Sequence, residues 1–129
     1  MQRSLTITLT LLAVLLAASL SFAGPTAPGD LLLAPPAALK ASKPSVAFSH
    51  AGHAKAEVDC RTCHHAWDGK EGVRSCAAAG CHDLPGKQGE RTFYAAFHAK
   101  ADRSCLGCHK TVKAKGVSAP VGCKECHAK

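Results

Sequence analysis

The sequence predicts a small domain in which short α-helices and loops wrap around covalently bound groups instead of a side-chain core, with little sheet. Two observations predict it. Past residue 23 the only aromatics in this 129-residue chain are Phe48, Trp67, Phe93, Tyr94 and Phe97, and small domains so poor in large apolar side chains need disulfides, metals or another staple. The second observation is the placement of the eight cysteines. They form four tight pairs, Cys60 with Cys63, Cys76 with Cys81, Cys105 with Cys108 and Cys123 with Cys126, and a histidine follows each pair at once. C-x-x-C-H is the pattern that attaches c-type haem through two thioethers and one axial imidazole, so four covalently bound haems c are expected.

In chain order, Met1-Gln2-Arg3 gives a basic start, Leu5 to Leu20 an apolar run, and Ser21-Phe22-Ala23 small residues where a signal peptidase reads. Residues 1–23 therefore read as a secretory signal peptide. A membrane anchor is the rival reading, but Thr6, Thr8, Thr10 and Ser19 interrupt the run, which falls short of the roughly 20 apolar residues a bilayer requires. Cleavage after Ala23 leaves 106 residues, enough for one domain. Residues 24–45 hold five of the seven prolines and should run extended. Within them Leu31-Leu32-Leu33 could supply a short strand or a cover for a haem edge, or belong to a loose N-terminal arm.

Residues 46–129 carry the haem-attachment units. The units are CRTCH (60–64), CAAAGCH (76–82), CLGCH (105–109) and CKECH (123–127). The second is the odd one, with Ala77-Ala78-Ala79-Gly80 between its cysteines; small residues let the longer loop bulge while both sulfurs still reach a porphyrin edge. The intervals of 18, 27 and 18 residues between successive unit histidines show repetition of a site without a solenoid period. Trp67-Asp68-Gly69-Lys70 and Leu84-Pro85-Gly86 read as turns. Residues 90–100 (ERTFYAAFHAK) read as helix, because Phe93 and Phe97, and likewise Tyr94 and His98, share a face at i,i+4. Short helices are expected through each attachment unit.

Axial ligation follows from counting. The only methionine is Met1, which leaves with the signal, so Met/His ligation is ruled out. His64, His82, His109 and His127 lie in the attachment units; His50, His53, His65 and His98 do not. Four further histidines for four remaining axial positions imply bis-histidine haems, six-coordinate and without the Met that raises potential. Consecutive Cα atoms are only about 3.8 Å apart, whereas axial ligands approach from opposite faces of a wide macrocycle. His64 and His65 therefore cannot share a haem, and His65 must serve a second one. His50 and His53, three residues apart, would likewise approach neighbouring irons from one short turn. Zinc is the competing reading of paired cysteines, but Cys₄ and Cys₃His sites do not ask for a histidine after every second cysteine.

The formal net charge of +7 falls by one when Arg3 leaves, and propionates offset by ferric centres bring a four-haem protein to roughly +2. The apparent basicity is thus largely compensation, and with no nucleic-acid motif present a nucleic-acid partner is not expected. The remaining charge is uneven. Lys100, Arg103, Lys110, Lys113, Lys115, Lys124 and Lys129 face only Asp102 and Glu125 over residues 99–129, a local +5, whereas residues 24–98 carry +1.

FSHAGH (48–53), CxxCHH (60–65), CxxxxCH (76–82) and FHAK (97–100) resemble the class III tetrahaem cytochromes c, the cytochrome c3 family, from about Pro44 to His127. The resemblance implies a small multihaem cytochrome, with short helices and loops wrapped around four closely packed haems and a minor N-terminal β element. It implies His50 with His64 on the first haem, His65 with His82 on the second, His53 with His109 on the third and His98 with His127 on the fourth. Phe48 would lie between the first and third. Many members carry C-x4-C-H at the fourth site, whereas Cys123-Lys124-Glu125-Cys126-His127 is similar to the type II branch that serves a membrane-bound redox complex.

The expected function is a periplasmic, low-potential electron carrier between a hydrogenase-like donor and a membrane-bound or soluble redox partner. Docking is expected near the basic C-terminal region, with no membrane span after signal cleavage. The rival is an enzyme, a terminal reductase of metal ions or sulfur species, which would need an open coordination position that the histidine count does not leave.

Overall fold

The computed structural model describes residues 27–70 and 72–128; the signal peptide expected over residues 1–23 lies outside them. Two strands, β1 (Leu31–Leu33) and β2 (Val46–Phe48), precede five helices: α1 (His50–Lys55), α2 (Cys60–Cys63), α3 (Phe93–His98), α4 (Cys105–Ala114) and α5 (Cys123–Cys126). The strands pair antiparallel with Leu31 opposite Phe48, Leu32 opposite Ala47 and Leu33 opposite Val46. The tri-leucine segment is therefore a strand, and the proline-rich segment is tied back to β2 through it.

Each helix starts where a polar group takes an orphan amide. Ser49, Asp59, Thr92 and Ser104 accept from Gly52, Arg61, Ala95 and Gly107, respectively. For α5 the Glu125 carboxylate accepts from the amides of Val121 and Gly122. In the three C-x-x-C-H units the cap directly precedes the first cysteine, so both thiols of a unit lie three residues apart on one helical turn and share a side. α4 ends on Gly116 at φ 88°, with the Gly116 amide on the Lys113 carbonyl and the Val117 amide on the Val112 carbonyl. This is the Schellman arrangement. α1 ends the same way, but with Glu57 at φ 56° in the glycine position.

Two sequence expectations are corrected. The helix read over 90–100 is confined to Phe93–His98, because Thr92 spends its side chain on the cap. The second attachment unit is not helical at all: residues 76–82 form turns around Gly80 at φ 83°. A spacing of five between Cys76 and Cys81 does not put both thiols on one side of a helix. The closure survives nonetheless. The His82 amide donates to the Cys76 carbonyl at 2.9 Å, the same distance at which His64 closes on Cys60 and His127 on Cys123; the extra residues are taken up in turns, with the Cys81 amide on the Ala78 carbonyl. The two expected turns are present, with Gly69 at φ 88° and Gly86 at φ 96°.

Among the described residues no hydrophobic side chain is fully buried; the buried polar ones are Thr92 and Ser104, at 3% and 4% exposure. Both are cap residues: Thr92 ties the start of α3 to the loop before it, and Ser104 ties the end of α3 to the start of α4. Thr92 donates to the Gly89 carbonyl and Ser104 to the Ala99 carbonyl. Gly107, buried on α4, lies so close to the turn before it that a Cβ there would overlap the Ala101 carbonyl. Gly107→Ala is therefore expected to destabilise the holo-protein by about 1–3 kcal/mol, read as a lower urea midpoint; an unchanged midpoint would show that the turn yields freely.

Candidate haem-binding site

The eight histidines, scattered over 78 positions of sequence from His50 to His127, come together as four facing pairs. His50 and His64 have ring centroids 6.5 Å apart, His53 and His109 6.0 Å, His65 and His82 6.1 Å, and His98 and His127 6.0 Å. Direct stacking would bring the rings closer. A transition-metal–imidazole bond is about 2 Å and the ligating nitrogen lies about 1.1 Å from its ring centroid, so two imidazoles trans on one metal stand about 6.2 Å apart. The pairs have that separation. Three are nearly coplanar, with interplanar angles of 13°, 18° and 8°, while the pair of His65 and His82 is crossed at 71°.

The tautomers agree with this reading. A carbonyl only accepts, so an imidazole nitrogen facing one must carry the proton, which leaves Nε2 as the free ligand. The Nδ1 atoms of His53, His109 and His127 donate to the carbonyls of Ser49, Pro120 and Pro44 at 2.8 Å. His82 donates to Glu90 at 2.7 Å, and His50 and His98 donate to Gly29 and Tyr94 at 3.2 Å. Burial, with His50 and His65 nearby, lowers the pKa of His64, which favours the neutral, ligand form of the ring.

All eight cysteines are free, and among the described residues no three donors converge as a zinc site would require. Burial, reinforced by the Cys63, Cys76 and Cys126 thiols, pushes the Cys105 thiol up to about 11. Each of those three thiols comes from a different attachment unit. Burial also raises the pKa of Cys63, Cys76 and Cys126. Such surroundings favour uncharged sulfur, and a thioether is uncharged.

The second thiol of the third unit also acts electrostatically on the first unit. Cys108 is half-buried, one turn along α4 from Cys105, where its amide donates to the Ser104 carbonyl at 2.9 Å. After burial, the Cys108 thiol is the next contributor to the raised pKa of Cys63. A cleft of about 820 Å³ runs along Cys63, His64, His65, Cys76, Cys81 and His82 and reaches Cys105, joining the first two units. Cys108 does not line this cleft, although it belongs to the same unit as Cys105. The donor set, its spacing and its protonation therefore fit covalently held haem.

Local folding explains which positions meet. The Ser49 cap turns the chain into α1, whose single stretch presents His50 to the first pair and His53 to the third. Phe48 touches both imidazoles, edge-on to His50 at 4.7 Å and stacked on His53 at 4.6 Å. His64 and His65, adjacent in sequence, face different partners. On α3, Phe93 packs on Phe97 at 4.8 Å and Tyr94 stacks on His98 at 4.3 Å. The carbonyls that orient the imidazoles were not evident from residue types. Two had a signal: Ser49 and Tyr94 precede their histidines by four residues on helical stretches, where a ring can reach back one turn.

The sequence model of the Class III cytochrome C family matches residues 30–127. The match starts upstream of Pro44 and takes in β1. Cytochrome c3 of Desulfovibrio desulfuricans is 50% identical over 105 residues, covering 80% of this chain and 97% of the relative. Cytochrome c3 of Maridesulfovibrio salexigens is 48% identical over 106 residues, covering 80% and 96%. The solved di-tetraheme cytochrome c3 of Desulfovibrio gigas superposes with a TM-score of 0.66 at 36% identity, covering 80% of this chain and 98% of that one. Similarity of this extent, in sequence and in fold, establishes that the chain belongs to the class III cytochrome c family of multihaem electron-transfer proteins.

Proposed function

We propose that the protein is a periplasmic, low-potential electron carrier with four bis-histidine haems c. Cys60 with Cys63, Cys76 with Cys81, Cys105 with Cys108 and Cys123 with Cys126 tether them. His50 with His64, His65 with His82, His53 with His109 and His98 with His127 supply the axial pairs. The observation that carries this reading is the set of four imidazole pairs at trans-ligand separation. A haem held this way supplies one reversible one-electron couple.

The chain's own residues do the rest. Nδ1–H bonds to carbonyls fix ring orientation and raise ligand basicity, which with the absence of Met ligation supports low potentials. The His64-His65 dipeptide holds the first two sites side by side, and α1 with Phe48 holds the first and third. This adjacency supports rapid exchange within the molecule. The cytochrome c3 relatives from Desulfovibrio and Maridesulfovibrio and the leader-like N-terminus support a periplasmic location, and no helix among the described residues is long and apolar enough to cross a membrane.

A hydrogenase-like donor and a membrane-bound or soluble redox complex are the partners this reading assigns, the C-x-x-C-H fourth unit favouring the membrane complex. Lys100, Arg103, Lys110, Lys113, Lys115 and Lys124 are all exposed, so the basic region is available for docking on an acidic surface. Electrostatic steering of this kind is lost as the Debye length shortens. Stopped-flow exchange with an acidic redox partner should slow by about tenfold or more between ~0.01 M and ~0.5 M salt. A rate indifferent to salt would remove the basic region from the docking surface.

A further inference from the structure

We propose that Arg91 is a positioning residue for the second haem: clipped to Asp83, it holds the Glu90 carbonyl on the Nδ1–H of His82 and thereby sets that iron's potential. The inference rests on the assignment of His65 and His82 to that site. The dipeptides His82-Asp83 and Glu90-Arg91 face one another across a loop and are joined by two adjacent rungs. In one, His82 Nδ1 donates to the Glu90 carbonyl at 2.7 Å; in the other, Arg91 Nη2 donates to Asp83 Oδ1 at 2.8 Å.

Asp83 is itself anchored, because its Oδ2 accepts the Gly80 amide at 2.9 Å inside the wide attachment loop. The Gly80 amide and the Arg91 guanidinium together hold its carboxyl below the usual carboxylate range. The loop between the rungs turns at Gly86 and Gly89, both at φ 96°, and is closed by the Leu84 amide on the Arg91 carbonyl at 3.2 Å, the Phe93 amide on the Leu84 carbonyl at 3.0 Å, and the Thr92 amide and hydroxyl on the Gly89 carbonyl. These backbone bonds engage the carbonyls of Leu84, Gly89 and Arg91, and the Arg91 side chain adds the direct tie between the Glu90-Arg91 dipeptide and Asp83, next to His82.

The His82 bond is the shortest of the six that histidine rings make to carbonyls. A strong Nδ1–H bond makes imidazole a more basic ligand and favours the ferric state. The ion pair is largely exposed, 55% at Arg91 and 28% at Asp83, so it adds little stability as such. Its contribution is directional.

The sign of the effect separates positioning from through-space charge. Removing a cation near an iron favours the ferric state and lowers its potential. Freeing the Glu90 carbonyl weakens the His82 bond and raises it. In a redox titration of the four-haem protein, with the second centre identified by its crossed imidazole planes in paramagnetic resonance, Arg91→Gln should leave that centre about fivefold more reduced at its wild-type midpoint. The other three centres should stay in place, and Arg91→Lys should restore wild-type behaviour. Should Arg91→Gln fail to mature with four haems, Arg91→Met reads the same shift. A lowered or unmoved second potential in the variant that matures overturns the proposal. A wild-type mass showing fewer than four haems would instead overturn the site assignment.

Discussion

Produced without haem attachment, the chain will not fold. No hydrophobic side chain is fully buried among the described residues, the strands are three residues each, and α2 and α5 four residues each. Helices this short have no intrinsic stability, and isolated two-stranded pairings are marginal. A domain of ordinary stability has about 5–15 kcal/mol to lose, and without its tethered groups this chain has no interior from which to draw it. Far-ultraviolet circular dichroism of chain made without the attachment machinery should show a largely unordered spectrum with no urea transition. A cooperative transition in that material would mean that side chains alone build the core. The double variant Cys76→Ser with Cys81→Ser offers a graded version. It should mature with three haems and unfold at lower urea than wild type.

The second large effect is expected at His65. Among the described residues its ring faces His82 at ligand separation, so His65→Gly should leave one iron with an open position and the other three saturated. The reduced variant should bind about one carbon monoxide per chain, where wild type binds almost none. Binding by the wild-type protein would contradict full axial saturation and favour the reductase reading. Binding of two per variant chain would mean that His65 also holds His64 in place on the first site. That outcome is structurally reasonable, since the two are consecutive, and a rescue by free imidazole would separate direct ligation from displacement.

Much of this was legible in the residues. The four cysteine pairs and the histidines after them are local patterns, and covalent attachment is local chemistry, so the number and identity of the attachment units could be read directly. The i,i+4 stripe in residues 90–100 located α3, although Thr92 shortened it by capping. The wide second unit is legible as a unit, but not its turn conformation, because the sequence shows its length and not the turn that keeps the His82 amide on the Cys76 carbonyl. Leu31-Leu32-Leu33 could not be assigned from its composition. Its pairing with Val46–Phe48 depends on a proline-rich connection folding back, which no local preference dictates.

By itself the sequence determined the inventory: eight thiols in four pairs, eight imidazoles and no methionine past Met1, hence the kind and number of groups to be held. Only the tertiary structure decided how the imidazoles face one another, since His53 meets His109 across 56 positions and His98 meets His127 across 29. It also decided which units share a neighbourhood, as when Cys63 of the first, Cys76 and Cys81 of the second and Cys105 of the third line one cleft, and which carbonyls orient the rings, as when His127 reaches Pro44 from 83 positions away. The physical reason is that attachment depends on neighbours along the chain, whereas axial pairing and ring orientation depend on neighbours in space, which short caps, bulges and turns bring together.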